Sequence, residues 1–187
     1  MHKFSPHHAE RLENPERYKL LQPERTLKEL GLRPGMTFVD VGAGTGFYSR
    51  PASQIVGGKG KVIALDLSAE MLEILKRNVL PADIEVLLSE EYRLPLDDGV
   101  GDFVLLSTVL HENGDVPRLL REAARVTKSS GKIVIIEWKK QDEDFGPPMM
   151  ERLGQDELLS QVSSFEVTAQ GDLTGSHYCV ALRKKQT

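Results

Sequence analysis

The chain has 187 residues, 28 acidic against 24 basic side chains and a net charge of −4, and one domain per about 150 residues predicts a single domain with short additions. An apolar content of 40% and a charged content of 28% exclude a disordered or fibrous chain, and a lone cysteine, Cys179, excludes a disulfide framework and any multi-thiolate metal site. The acidic balance argues against non-specific nucleic-acid binding or an anionic-membrane anchor.

Residues 1–22 are rich in charge, His and Pro, with a weak helical pattern over Pro15–Leu21. The segment has no apolar stretch of the signal-peptide kind, and no run approaches the roughly 20 apolar residues of a membrane span. A cytoplasmic protein without membrane insertion is expected. A short helix is predicted over residues 24–31, with Gly31 at its C-cap, followed by an Arg33-Pro34-Gly35 turn.

From Met36 the period changes. Met36–Val41 reads as a strand ending in a glycine loop, and Phe47–Val56 as a helix that tolerates Pro51 near its start. Lys61–Asp66 is the second strand, and Ser68 caps a helix carrying Met71, Leu72, Leu75 and Val79 on one face. Ile84–Leu88 is a third strand, and Asp102–Val109 a fourth, apolar enough to be covered on both sides. The helix Val116–Val126 and the strand Lys132–Trp138 complete a β-α-β series, which requires a parallel sheet with right-handed crossovers.

The tail differs. After an acidic Gly/Pro loop (141–148) comes a helix over Gly154–Val162. The strands Phe165–Ala169 and Tyr178–Arg183 are then too close in sequence to be parallel neighbours, so they form an antiparallel hairpin. The expected fold is an α/β, Rossmann-like doubly wound sheet of seven strands, mostly parallel, closed by that hairpin. Residues 1–187 are expected to form one domain: a helical cap (1–35), a cofactor-binding core (36–140) and a closing helix and hairpin (141–187).

In such sheets ligands bind at the carboxyl ends of the strands where strand order reverses. The loop after the first strand reads Asp40-Val41-Gly42-Ala43-Gly44-Thr45-Gly46. Its glycines permit a tight turn and close approach of a ligand, and the next helix offers its positive end. The second strand ends in Asp66, whose carboxylate can accept both hydroxyls of a ribose. Together they suggest an adenosine-containing ligand, whereas either feature alone is also met by an ordinary strand-to-helix turn. A G-x-G-x-x-G dinucleotide fingerprint would need glycine where Phe47 stands, and no Walker loop is present.

The runs VDVGAGTG (39–46), VIALDLSAEMLE (62–73), LPLDDGVGDFV (94–104) and LLREAARVTKSSGKIVIIEW (119–138) resemble successive motifs of class I S-adenosylmethionine-dependent methyltransferases. More narrowly, they resemble the ubiquinone/menaquinone-methyltransferase-like, or methyltransferase type 11-like, branch. The resemblance covers roughly residues 20–183. It implies S-adenosyl-L-methionine as cofactor, with Asp40, Gly42, Ala43, Gly44 and Gly46 around its methionine part. It further implies Asp66 on the ribose and Leu67 against the adenine. Glu90 stands where the branch often carries Asp-Ala, and Ser107 and Thr108 are placed by the sulfonium.

Beyond the fourth strand, Val109-Leu110-His111-Glu112-Asn113 occupies the loop where reacting groups belong. His111 and Glu112 are the candidate base and orienting acid, although adjacent loop residues seldom face each other; His111 can equally be a wall of the cofactor pocket. No metal is expected, because His7-His8, His111 and the acidic clusters lack ligand spacing such as H-E-x-x-H. Trp138, Tyr18, Phe4 and Phe47 either line an aromatic pocket or, as is commoner, pack in the core.

The function expected is methyl transfer from S-adenosylmethionine to a small-molecule acceptor by direct in-line displacement. A non-catalytic cofactor-binding module and a nucleotide-dependent oxidoreductase are the alternatives. The acceptor and the choice between monomer and homodimer are not legible.

Overall fold

The computed structural model describes residues 12–77 and 84–185. Phe4, His7, His8 and Val79 lie outside the described residues. Seven strands form one sheet in the order β3-β2-β1-β4-β5-β7-β6. They are β1 (Thr37–Val41), β2 (Lys61–Asp66), β3 (Ile84–Leu88), β4 (Gly101–Ser107), β5 (Thr127–Trp138), β6 (Phe165–Asp172) and β7 (His177–Lys184). The first five run parallel, whereas β7 is antiparallel to both β5 and β6. This is the doubly wound sheet with the closing hairpin that the sequence predicts.

The helices are α1 (Pro15–Leu21), α2 (Pro23–Glu29), α3 (Ser49–Val56), α4 (Ala69–Arg77), α5 (Val116–Val126) and α6 (Gln155–Gln161). One sheet face carries Phe38, Val62, Phe103 and Val134 and is covered from α1–α4 by Leu21, Leu27, Ile55, Val56 and Leu75. The other carries Val39, Ile63, Val104 and Ile135 and is covered from α5 and α6 by Leu119, Leu120, Ala123 and Leu158. Strand side chains alternate between these two cores because the strand period is two.

Local chemistry shifts several predicted boundaries. The helical pattern over Pro15–Leu21 is α1, and the helix expected over 24–31 runs from Pro23 to Glu29; Gln22 turns the chain between them at φ 39°, where Pro23 cannot continue α1. The helix expected from Phe47 begins at Ser49, where Tyr48 and Phe47 pack inward. β5 begins at Thr127 rather than Lys132: Thr127 pairs with Gly101 and Lys132 with Phe103, so Ser129-Ser130-Gly131 forms a bulge inside the strand and not a turn before it. Ser68 caps α4 as expected, its Oγ accepting the Met71 amide at 3.2 Å.

Register places the upper rows of the sheet. Ser107, Ile136 and Cys179 face one another across β4, β5 and β7, and Trp138 lies opposite His177 one row higher. These side chains share the face covered by α1 and α3. Glu137, between those rows, points to the other face.

Candidate functional site

The strand order reverses between β1 and β4, and the glycine loop stands at that point. Gly42, Gly44 and Gly46 have φ of 74°, 54° and 91°, a region that costs a side-chain-bearing residue strain. Space adds a second constraint. A Cβ on Gly42 would run into Val109, and one on Gly46 would lie 2.7 Å from Leu75 Cδ1. The turn therefore accepts only glycine at both places.

Asp40 is 2% exposed and accepts a hydrogen bond from Ser49 Oγ at 2.6 Å. Burial pushes its carboxyl up to about 7; the Asp66 charge adds to the rise, and the Ser49 bond and Arg17 oppose it. Asp66 accepts the Gly44 amide at 2.8 Å through one oxygen and the Ser68 amide at 2.8 Å through the other. It thus ties the loop to the end of β2, and burial raises its pKa above the usual carboxylate range. The amides of Gly42, Ala43 and Gly46 are also engaged, the first two by Leu65 O. With Gly44 held by Asp66, none of these four N–H groups is free for a ligand. Polar contacts in the cradle fall instead to carbonyl oxygens and side chains.

Next to the loop, Leu67 is 42% exposed at the end of β2, and Leu88, opposite Asp66 on β3, is exposed as well. Glu90 is exposed just beyond, in a short bridge to Arg93. These residues form an apolar ledge with a carboxylate at its rim, which suits a purine. Thr45 Oγ1, Tyr48 OH and Ser107 Oγ are buried polar atoms without a well-formed hydrogen bond among the described residues, Tyr48 and Ser107 interacting only with each other. Buried polar groups are nearly always paired, so this orphan set between the loop and β4 fits a bound polar ligand. Thr108 follows Ser107 at φ 54°, a strained conformation for a β-branched residue.

After β4 the chain forms a single 3₁₀ turn, Leu110–Glu112. The structure brings His111 to an acid other than its sequence neighbour. Glu137, 0% exposed on β5, takes His111 Nδ1 at 2.8 Å and the Leu110 amide at 2.7 Å. Glu112 Oε1 lies 3.8 Å from the other ring nitrogen, Nε2. Burial works against a charged His111, but the Glu137 carboxylate, with Glu112 and Glu151 behind it, outweighs burial and raises the imidazole pKa.

Sequence reasoning missed Glu137, Arg17 and His177. A lone carboxylate inside the apolar run KIVIIEW was the one available signal for Glu137, because a buried charge needs a partner. Arg17 lies over the Phe47 ring at 3.9 Å, donates to Leu12 O at 3.1 Å, and acts electrostatically on Asp40 and Tyr48. Tyr18 packs on Phe47 at 4.5 Å and bonds Arg50, which pairs with Glu13. These two aromatics therefore fasten the N-terminal segment over the loop. Trp138 sits against His177 and Phe145 at the other end of the site.

A doubly wound sheet with a buried acid ending β2 and a glycine cradle after β1, at the point where strand order reverses, has the architecture of a nucleotide-type binding fold. The methyltransferase-domain family model matches residues 39–135. Among solved structures, a SAM-dependent methyltransferase from Aquifex aeolicus is 36% identical with a TM-score of 0.92, over 96% of this chain and 98% of that one. A demethylmenaquinone methyltransferase from Shouchella clausii is 35% identical over 115 residues, which are 60% of this chain and 49% of that protein. A ubiquinone/menaquinone biosynthesis C-methyltransferase from Hahella chejuensis is 30% identical over 119 residues, 62% of this chain and 48% of that protein.

The chain belongs to the S-adenosylmethionine-dependent methyltransferases, an enzyme family whose cofactor is S-adenosylmethionine. It spans about half the length of the curated relatives it matches. Among the described residues, no helix is long and apolar enough to cross a membrane, and no group of three or more His, Cys, Asp or Glu is placed to hold a metal ion.

Proposed function

We propose that the chain methylates a small acceptor bearing an acidic O–H or C–H group, with His111 as the proton acceptor. When bound, S-adenosylmethionine supplies a methyl group already activated on a positive sulfur, for direct in-line displacement by the acceptor atom. The proposed cofactor residues are Asp40, Gly42, Ala43, Gly44 and Gly46 at the methionine part, Asp66 at the ribose, Leu67 and Glu90 at the adenine, and Ser107 nearest the reacting atoms. Residues 36–140 form the cofactor core in this reading, and the cap (1–35) and the tail (141–187) close the acceptor side.

The observation that carries the reading is the His111–Glu137 pair beyond the end of β4. An ionised Glu137 accepts only, so the proton of a neutral His111 stays on Nδ1 at 2.8 Å. Nε2 then presents its lone pair and can take a proton from the acceptor. Glu112, 3.8 Å from Nε2, stabilises the imidazolium that results. A positioned base of this kind contributes about 10²–10⁴-fold, while holding the acceptor in line contributes up to about 7–11 kcal/mol. A quinol leads the acceptor classes because two of the relatives named above are a demethylmenaquinone methyltransferase and a ubiquinone/menaquinone biosynthesis C-methyltransferase.

The test is release of S-adenosylhomocysteine across a panel of quinols, phenols, thiols and amines. Turnover with a hydroxyl or carbon acid that fails in His111→Ala supports the reading. Tight binding of S-adenosylhomocysteine with no turnover on any panel member would instead favour a non-catalytic cofactor-binding module.

A further inference from the structure

The end of β5 carries a second histidine. His177, the first residue of β7, is 1% exposed and stacks on Trp138 with ring centroids 4.0 Å apart. Its two ring nitrogens have unequal surroundings. Nδ1 meets Thr174 Oγ1 at 3.4 Å and Ser176 Oγ at 3.2 Å. Nε2 is buried with no hydrogen-bond partner among the described residues.

The Thr174 contacts favour one tautomer. Its hydroxyl oxygen already accepts the amides of Ser176 at 3.2 Å and His177 at 3.0 Å. Both lone pairs are then in use, so the Thr174 hydroxyl can only donate to Nδ1, and the Ser176 hydroxyl, 3.2 Å from the same nitrogen, can rotate to donate as well. A neutral ring with an accepting Nδ1 carries its proton on Nε2. Burial, aided by the positive charges of Arg17, Arg152, His111 and Lys139, lowers the His177 pKa to about 3 and keeps the ring neutral. In that tautomer the orphan atom is an N–H donor.

No described residue takes up the hydrogen-bonding capacity of Nε2. Trp138 is held by Phe145 at 5.8 Å and by the Arg152 guanidinium at 5.1 Å, so the stacked imidazole has little freedom to turn. Of the cations acting on His177, Arg152 is tied to Glu143 and Lys139 to Asp172. Arg17 has no carboxylate within ion-pair distance among the described residues. Consecutive residues of β5 thus position two histidines by different means: Glu137 holds the proton-accepting His111 and Trp138 stacks on the proton-donating His177.

We propose that His177 Nε2–H donates a hydrogen bond to an enolate or phenolate oxygen of the methyl acceptor, making the end of β5 an oxyanion subsite. The inference rests on the methyl-transfer reading above and deepens it by assigning the acceptor's charge. A deprotonated oxygen conjugated to the reacting centre keeps electron density available at the atom that is methylated. His177 is an acceptor-binding residue in this scheme, and Trp138 a positioning residue.

The test uses the full chain with S-adenosylhomocysteine bound, titrated calorimetrically with 2-hydroxy-1,4-naphthoquinone, an enolate at neutral pH, and with its neutral methyl ether. The enolate is expected to bind at least about tenfold more tightly than the ether, as for a hydrogen bond to a charged group. His177→Phe should abolish that preference while S-adenosylhomocysteine affinity stays unchanged, and His177→Gln, which retains a donor, should restore part of it. If His177→Phe does not fold, the Nε2–H proton resonance of the unmodified protein decides, since saturating enolate should shift it downfield. Equal affinity for the two probes, binding of neither, a preference surviving in His177→Phe, or an unmoved Nε2–H resonance would each overturn the proposal. Failure to bind S-adenosylhomocysteine would overturn the methyl-transfer reading instead.

Discussion

The Glu137 carboxylate lies 2.8 Å from His111 Nδ1, across the β4–β5 boundary and 26 residues away in sequence. Its second oxygen accepts the Leu110 amide at 2.7 Å, so one buried acid holds both the backbone and the side chain of the 3₁₀ turn. The pair sets the tautomer of the proposed base and raises its pKa against the effect of burial.

Replacing Glu137 with Gln retains size and hydrogen bonding but removes the charge. Burial then acts on His111 without its main counterweight, and the imidazole pKa should fall. An imidazole titration followed by NMR measures this, and an unmoved pKa would mean that Glu137 does not govern the proton on His111.

Asp66→Ala should weaken S-adenosylhomocysteine binding at least about tenfold, since hydrogen bonds to a charged group contribute roughly 1.5–3 kcal/mol. The loss has two sources, because the same carboxylate also holds the Gly44 and Ser68 amides. Calorimetry on the folded variant reads it directly. Unchanged affinity would remove Asp66 from the ribose site.

Gly42→Ala should destabilise the protein by about 1–3 kcal/mol, through positive-φ strain and collision with Val109. Adding Val109→Ala removes the collision but not the strain. The double variant should therefore regain part of the loss in denaturant unfolding, and no recovery would show that space is not limiting there.

Asp40 makes stability depend on pH. Its folded pKa, near 7 through burial, exceeds the unfolded value of about 3.9, so folding favours the protonated carboxyl. Its contribution is complete below about pH 3.9 and is lost as the pH rises through 7. Asp40→Asn should therefore gain on the unmodified protein between pH 5 and 8 in urea midpoints. A gap that stays constant across that range would mean that Asp40 is ionised throughout.

Much of the site was readable because its signals are local. Gly42, Gly44 and Gly46 announce a turn, and Asp66 ends a continuously apolar strand, so neighbours in sequence suffice to place them. Boundaries slipped where packing overrode local chemistry, as at Ser129-Ser130-Gly131, which stays in β5. Glu112 was the visible candidate to orient His111 because it is adjacent, but the turn puts it 3.8 Å from Nε2 while Glu137 takes Nδ1.

The residue pattern by itself determined the parallel sheet, its closing hairpin and the cofactor loop, since hydrophobic period and glycine placement are properties of short segments. Which acid holds His111, and which groups meet each nitrogen of His177, were decided only in three dimensions. Strand register brings residues tens of positions apart into one row, and burial sets the charge that each can hold there.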